Sequence, residues 1–205
     1  MQLIFTRHGE SEANVQRIIS NRTLPHGLTT TGYAQADALA EQLLRHKLRA
    51  IYTSPILRAQ QTAQRLAQKL QAPVQIVDAL REFDCGIAEG QGDQAAWQMH
   101  QAVVQAWDEA NDYAQCIPQG ESYNDLRVRF VPFVEQLIRD FTAVNDTLVL
   151  VSHGGLLHQM LPLVLSNVDR TWVRRYPLGN CASVVTKPEQ GRLVCLEWAG
   201  VPLND

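Results

Sequence analysis

Three short blocks carry side chains that together suit the capture of an anion. Arg7-His8-Gly9 follows on the apolar run Leu3-Ile4-Phe5, Ser54-Pro55 with Arg58 follows Ala50-Ile51-Tyr52-Thr53, and Ser152-His153-Gly154 follows Thr147-Leu148-Val149-Leu150-Val151. Each block ends a segment that reads as a buried strand. In open α/β sheets ligands bind beyond the carboxyl ends of the strands. Convergence there would bring two guanidinium groups and two imidazoles to one sheet edge, near helix N-termini that favour anions. Guanidinium groups clamp phosphate oxygens through paired N–H groups, so a phosphate dianion is the ligand these residue types suit. His153 and His158 stand five apart, off the i, i+4 spacing of a helical metal pair. No metal is expected.

The elements that must position these blocks follow from periodicity. Residues 31–46 carry Ala36, Leu39, Ala40, Leu43 and Leu44 at helical spacing, after a threonine N-cap. Residues 56–70 carry Ala59, Thr62, Ala63, Leu66, Ala67 and Leu70, with Ser54-Pro55 as cap and first-turn proline. Val74–Val77 reads as a third strand, and 78–92 as a loop with Gly86, Gly90 and Gly92. Residues 93–111 read as a helix holding Trp97, Met99 and Trp107, either core residues or a cap over the substrate. Ser122 and Asp125 start a long helix that Pro132 should bend. A helix over 155–165 and a terminal hairpin of 181–187 and 192–198 around Pro188–Gly191 complete the chain. Alternating strands and helices indicate an α/β fold. We expect a three-layer αβα sandwich with a mostly parallel sheet, built as one domain over residues 1–205.

The bulk properties exclude several classes. At 205 residues and net charge −3, no global basic field marks a nucleic-acid partner. No apolar run approaches the roughly 20 residues of a membrane span, and Arg7-His8 arrives too early for a signal peptide. A cytoplasmic protein is therefore expected. Cys85, Cys116, Cys181 and Cys195 form no CxxC pair or zinc spacing and read as incidental thiols, with Cys181 and Cys195 in the core.

Taken in order, Arg7-His8-Gly9-Glu10-Ser11, Thr53-Ser54-Pro55 to Arg58, Leu80-Arg81-Glu82, Gly120-Glu121-Ser122 and Ser152-His153-Gly154 resemble the blocks of the histidine phosphatase superfamily, which includes cofactor-dependent phosphoglycerate mutases and many small phosphatases. The resemblance implies a phosphoglycerate mutase-like fold and a phosphoryl-transfer site. It makes His8 the nucleophile and Glu82 the proton donor. Arg7, Arg58 and His153 complete the phosphate pocket, Asn14 touches the phosphoryl group and Gly154 joins the binding loop. The chemistry agrees with these roles. A neutral imidazole attacks phosphorus when its other nitrogen is held by an acceptor, and a carboxyl of raised pKa protonates the leaving alkoxide. Glu10, Glu12, Asp84 and Glu89 are rival acids in neighbouring loops. For Asn14 the rival reading is a turn former.

The departures from the mutase pattern favour hydrolysis. Only about 35 residues separate Glu82 from Gly120, where mutases carry a long insertion. Asn21-Arg22-Thr23-Leu24-Pro25 replaces their Gly-Trp turn, and Gly154-Gly155-Leu156 replaces Gly-Asn-Ser. Ala88 stands where similar phosphatases often place a tryptophan. The expected activity is metal-independent, cofactor-free phosphomonoester hydrolysis through phospho-His8, on a small phosphorylated metabolite. Residues 91–117 and 20–26 would shape the choice of substrate. The alternatives are a phosphoglycerate mutase and a phosphate-binding protein without turnover; a homodimer is left open.

Overall fold

A computed structural model describes residues 1–22, 24–141 and 146–203. Thr23, within the divergent turn, lies outside the described residues. The centre is a seven-stranded mixed sheet of order β3-β2-β4-β1-β5-β6-β7. Its strands are β1 (Gln2–Arg7), β2 (Leu48–Thr53), β3 (Val74–Ile76), β4 (Thr147–Ser152), β5 (Ser183–Glu189), β6 (Arg192–Trp198) and β7 (Val201–Pro202). The first four run parallel, and the terminal hairpin adds antiparallel strands beside β1.

β4 is buried along its whole length. Continuous burial explains why its sequence is a continuous apolar run, since a parallel strand is covered on both faces. Alternate residues divide between two cores. Ile4, Ile51, Val149 and Val151 pack with α2 (Thr30–Leu43) and α3 (Leu57–Leu70). Leu3, Phe5, Leu148 and Leu150 pack on the opposite face with α5 (Tyr123–Asp140) and α6 (Gly154–Val164), whose cluster also takes in Ala96 and Val103 of α4 (Gln94–Gln105). The result is the expected αβα sandwich. Among the described residues no helix is long and apolar enough to cross a membrane.

Several local expectations shift. Ser54-Pro55 forms a turn rather than a cap: α3 starts at Leu57, and the Ser54 hydroxyl accepts from the Ile56 N–H at 3.2 Å. α5 runs through Pro132 from its Ser122–Asp125 capping box. Leu44, expected on the apolar face, lies at the end of α2 and is exposed. Two short helices break no obvious pattern in the sequence, α1 (Glu12–Gln16) and α7 (Arg170–Arg175). Pro188 lies within β5 opposite Leu193, and Gln190-Gly191, both at positive φ, make the turn. Cys195 is buried as expected, whereas Cys181, at φ 55° just before β5, is half-buried against the edge of the core.

Glycine sets the approach of α2 to the loop after β1. A Cβ on Gly32 would lie 2.0 Å from the Glu10 carbonyl oxygen, and one on Gly9 would lie 2.5 Å from the Gly32 oxygen. Gly32→Ala is expected to cost roughly 1–3 kcal/mol through overpacking. A urea midpoint equal to that of the parent would contradict this contact.

Candidate active site

β1 and β4 are neighbours with Arg7 opposite Ser152, so the residues that follow them leave the sheet side by side. These are His8 and His153, whose ring centroids are 5.1 Å apart. Both are buried. The His8 main chain is fixed by its N–H to the Ser152 carbonyl at 2.9 Å and by Asn180 Nδ2 donating to the His8 carbonyl at 3.0 Å. Gly9 N–H donates to Thr62 Oγ1 at 3.1 Å.

The protonation of His8 follows from its partners. Arg58 Nε lies 2.9 Å from His8 Nε2, and a guanidinium N–H only donates. Nε2 is therefore the acceptor, and Nδ1 carries the proton that it gives to the Gly9 carbonyl at 2.6 Å. Burial, reinforced by Arg58 and Arg7, pushes the His8 pKa well below its ordinary value, so the ring is neutral at pH 7. Burial likewise lowers His153, whose Nε2 lies 2.7 Å from Ser54 Oγ.

The arginines are held by backbone oxygens. Arg58, the second residue of α3, also donates to the Ser20 carbonyl and to Asn21 Oδ1 at 3.3 Å. Burial lowers its pKa to about 10, which leaves it a cation at neutral pH. Arg7 donates from one terminal nitrogen to the Leu178 carbonyl at 3.0 Å. Arg7 Nε and His153 Nδ1 are buried and make no hydrogen bond within the described protein. Two buried donor-capable atoms beside a cationic cluster fit a ligand rich in acceptor oxygens.

Glu82 occupies the N-terminus of α6. Its carboxylate accepts from the N–H groups of Phe83 at 3.0 Å, Gly155 at 2.8 Å and Leu156 at 2.6 Å. A Cβ on Gly155 would stand 2.8 Å from Glu82 Oε1, so glycine there admits the carboxyl. Burial raises the Glu82 pKa above its ordinary value, outweighing those hydrogen bonds and the pull of Arg58. Arg129 fastens the loop from behind, donating to the Ala79 carbonyl and to Glu121, which also takes the Asp84 N–H. The Gly120-Glu121-Ser122 block thus braces the acid loop.

A pocket of about 190 Å³ brings Arg7, His8, Asn14, Arg58, Glu82 and Gly154 together. Of the five acids considered, only Glu82 lines it. The other four brace loops: Glu10 accepts from Thr29, Glu12 from the Gly27 N–H, Asp84 from Arg22, and Glu89 from the Asn21 and Cys85 N–H groups. Asn14 lines the pocket while its Oδ1 accepts from the Ser11 N–H in a capping box. His153 is not among the pocket-lining residues but lies against His8, which is. Trp107 is a core residue, whereas Trp97 lines the pocket beside His100.

Thr62, Leu178 and Asn180 enter the site with no signal in the sequence, whereas Ser20 and Asn21 belong to the 20–26 segment expected to shape substrate choice. Ser54, in the expected Ser-Pro block, turns its hydroxyl to His153 and does not cap α3. Leu178 contributes a carbonyl, and no side-chain pattern reports that.

The profile of the Histidine phosphatase superfamily (branch 1) matches residues 3–200. A relative named "Putative phosphoserine phosphatase 2", from Hydrogenobacter thermophilus, is 28% identical over 196 residues, covering 95% of this chain and 94% of that protein. A 2,3-bisphosphoglycerate-dependent phosphoglycerate mutase from Bartonella quintana is 31% identical over 165 residues, 78% of this chain and 79% of the mutase. The solved structure of mycobacterial glucosyl-3-phosphoglycerate phosphatase with VO3 matches with a TM-score of 0.79 at 26% identity, covering 96% of this chain and 98% of that one.

Proposed function

This chain belongs to the histidine phosphatase superfamily (branch 1), and on that premise we propose that it hydrolyses small phosphomonoesters through a covalent phosphohistidine at His8. The observation that carries the reading is the state of His8: a neutral ring, its proton held on Nδ1 by Gly9 and its Nε2 lone pair presented beside Arg58. Nε2 attacks phosphorus as the P–O ester bond breaks. Arg7, Arg58 and His153, with Asn14 and the Gly154 loop, hold the phosphoryl oxygens and offset their charge in the transition state. Glu82 gives its proton to the departing alkoxide. It then takes a proton from the water that attacks phosphorus, which breaks the P–N bond and releases phosphate. Arg58→Ala is expected to lower kcat/KM by about 10²–10³, the scale of losing one preorganised donor.

No step in this scheme draws on a metal, so hydrolysis should survive EDTA. Loss on chelation, restored by a divalent cation, would refute the scheme. We place residues 91–117 as a cap over the pocket of one domain spanning the chain, since Trp97 and His100 line that pocket. Four free cysteines suit a reducing, cytoplasmic setting.

The similarity to the Bartonella mutase favours a second reading, transfer of the phosphoryl group to phosphoglycerate. One experiment tests both. With phosphorus-labelled phosphomonoesters, hydrolysis gives transient label on the protein and free phosphate in every cycle. Label passed to 2- or 3-phosphoglycerate without phosphate release would establish the mutase instead, and saturable binding without turnover would indicate a phosphate-binding protein.

A further inference from the structure

We infer that a second pocket, beside the phosphate clamp, receives the alcohol part of the substrate and selects an uncharged, apolar or ring-bearing alcohol over one bearing a carboxylate. The inference rests on the phosphatase reading above and narrows its substrate class. The pocket measures about 320 Å³ and shares Arg7, Phe83, His100, Gly154 and Gly155 with the clamp. A phosphoryl group in the clamp can therefore carry its alcohol into this second hollow. Its volume lies at the low end for ligand sites, which suits a metabolite and not a phosphoprotein segment.

The walls are chiefly apolar, built from Phe83, Val104, Val173, Pro177 and Leu178. Phe83 belongs to an aromatic pile, 5.2 Å from His100 on one side and 5.2 Å from Trp107 on the other. Rings and aliphatic chains gain most from such a surface.

The polar atoms decide between ligand charges. Asp108 accepts from Gln159 Nε2 at 3.2 Å and lies 3.6 Å from Arg174 Nε and 3.8 Å from His158 Nε2. Apart from Arg7, which the phosphoryl group engages, the basic group on this wall nearest Asp108 is His158, and it already faces that carboxylate, so a second carboxylate on the ligand would find no free cation on that side. Burial alone would raise the Asp108 pKa, but the Gln159 hydrogen bond, His158 nearby and the Arg174 guanidinium hold it below its usual value, so this carboxylate only accepts. That fixes the Gln159 amide with nitrogen toward Asp108. Its carbonyl oxygen is left buried without a donor, and Gln159 lines the pocket. Buried carbonyl oxygens rarely stay unpartnered, so a hydroxyl or N–H on the alcohol would complete the site.

Three esters test the inference: 2-phenylethyl phosphate, ethyl phosphate and 3-phosphoglycerate. The first two share an alkyl leaving group, so their kcat/KM ratio reads the pocket and not the chemistry. The ring should raise kcat/KM tenfold or more over ethyl phosphate, with 3-phosphoglycerate no better than ethyl. Val104→Trp, which fills the hollow, should reduce the ring's advantage about tenfold. Val104→Arg, at the same half-exposed position, adds an unmatched cation and should raise 3-phosphoglycerate relative to 2-phenylethyl phosphate by about tenfold. Equal rates for the two alkyl esters, a preference for 3-phosphoglycerate, or ratios unmoved in a folded variant would each overturn the inference while leaving hydrolysis at His8 intact. No hydrolysis of any ester, with no label on the protein, overturns the phosphatase reading and this inference with it.

Discussion

His8→Ala is expected to remove turnover, with kcat falling on the order of 10⁶, the scale on which loss of an obligatory nucleophile registers. Asn14 and Asn21 are amides and Arg7 and Arg58 are cations, so none of these four neighbours in the pocket can take its place. Label from a phosphorus-labelled ester should no longer appear on the protein. A folded variant that releases phosphate at the parental rate would end the phosphohistidine mechanism. The same substitution has a thermodynamic signature. The folded-state pKa of His8 lies below its unfolded value near 6.5, so below that pH the unfolded chain binds a proton that the native state refuses. Stability is lost as pH falls, by up to about 1.4 kcal/mol per pH unit for this one group until its folded pKa is reached. His8→Ala should therefore lose Tm less steeply between pH 6.5 and 5 than the parent does. His153 contributes in the same direction in both proteins.

Glu82→Gln should lower kcat/KM for alkyl phosphates by about 10²–10⁴, the range for a positioned acid. Esters of acidic phenols should suffer less, because their oxyanions depart without a proton. The pH profile separates this effect from simple misplacement. The required forms are neutral His8 and protonated Glu82, so the parent should lose kcat/KM as pH falls through the lowered pKa of His8. It should lose kcat/KM again as pH rises through the raised pKa of Glu82. In the variant the alkaline limb should disappear. A limb that persists would assign the acid elsewhere. The glutamine also turns an NH2 toward the backbone donors that now serve the carboxylate, which should cost roughly 1–3 kcal/mol of stability.

The strands that organise the site were legible because burial on both faces leaves an unbroken apolar run, as in Leu148–Val151. The blocks at their ends were legible because side chains of one chemistry recur at three strand ends. Helices of five and six residues, Glu12–Gln16 and Arg170–Arg175, span too few turns to leave a periodic stripe. Other parts of the site are contacts between distant segments. The Ser54 hydroxyl meets His153, the Leu178 carbonyl meets Arg7, and Asn180 meets the His8 carbonyl. Backbone groups carry no residue identity, so the N–H donors that seat Glu82 at α6 could not be read beforehand. Only Gly155, with no room for a Cβ, marks that seat.

The adjacency of β1 and β4 has a consequence for how this chemistry can change. The two histidines follow strands that pair directly, and their 5.1 Å separation is close to the spacing of about 4.8 Å between neighbouring strands. The proposed nucleophile and the second imidazole are thus spaced by the sheet's own ruler, which no loop can stretch. On the reading proposed above, much of the surface that would meet the rest of the substrate is strung on segments 18–21, 97–104 and 173–178, outside that ruler. Insertions and exchanges there alter what is recognised without re-spacing what reacts. A chain built this way can change its diet while keeping its teeth.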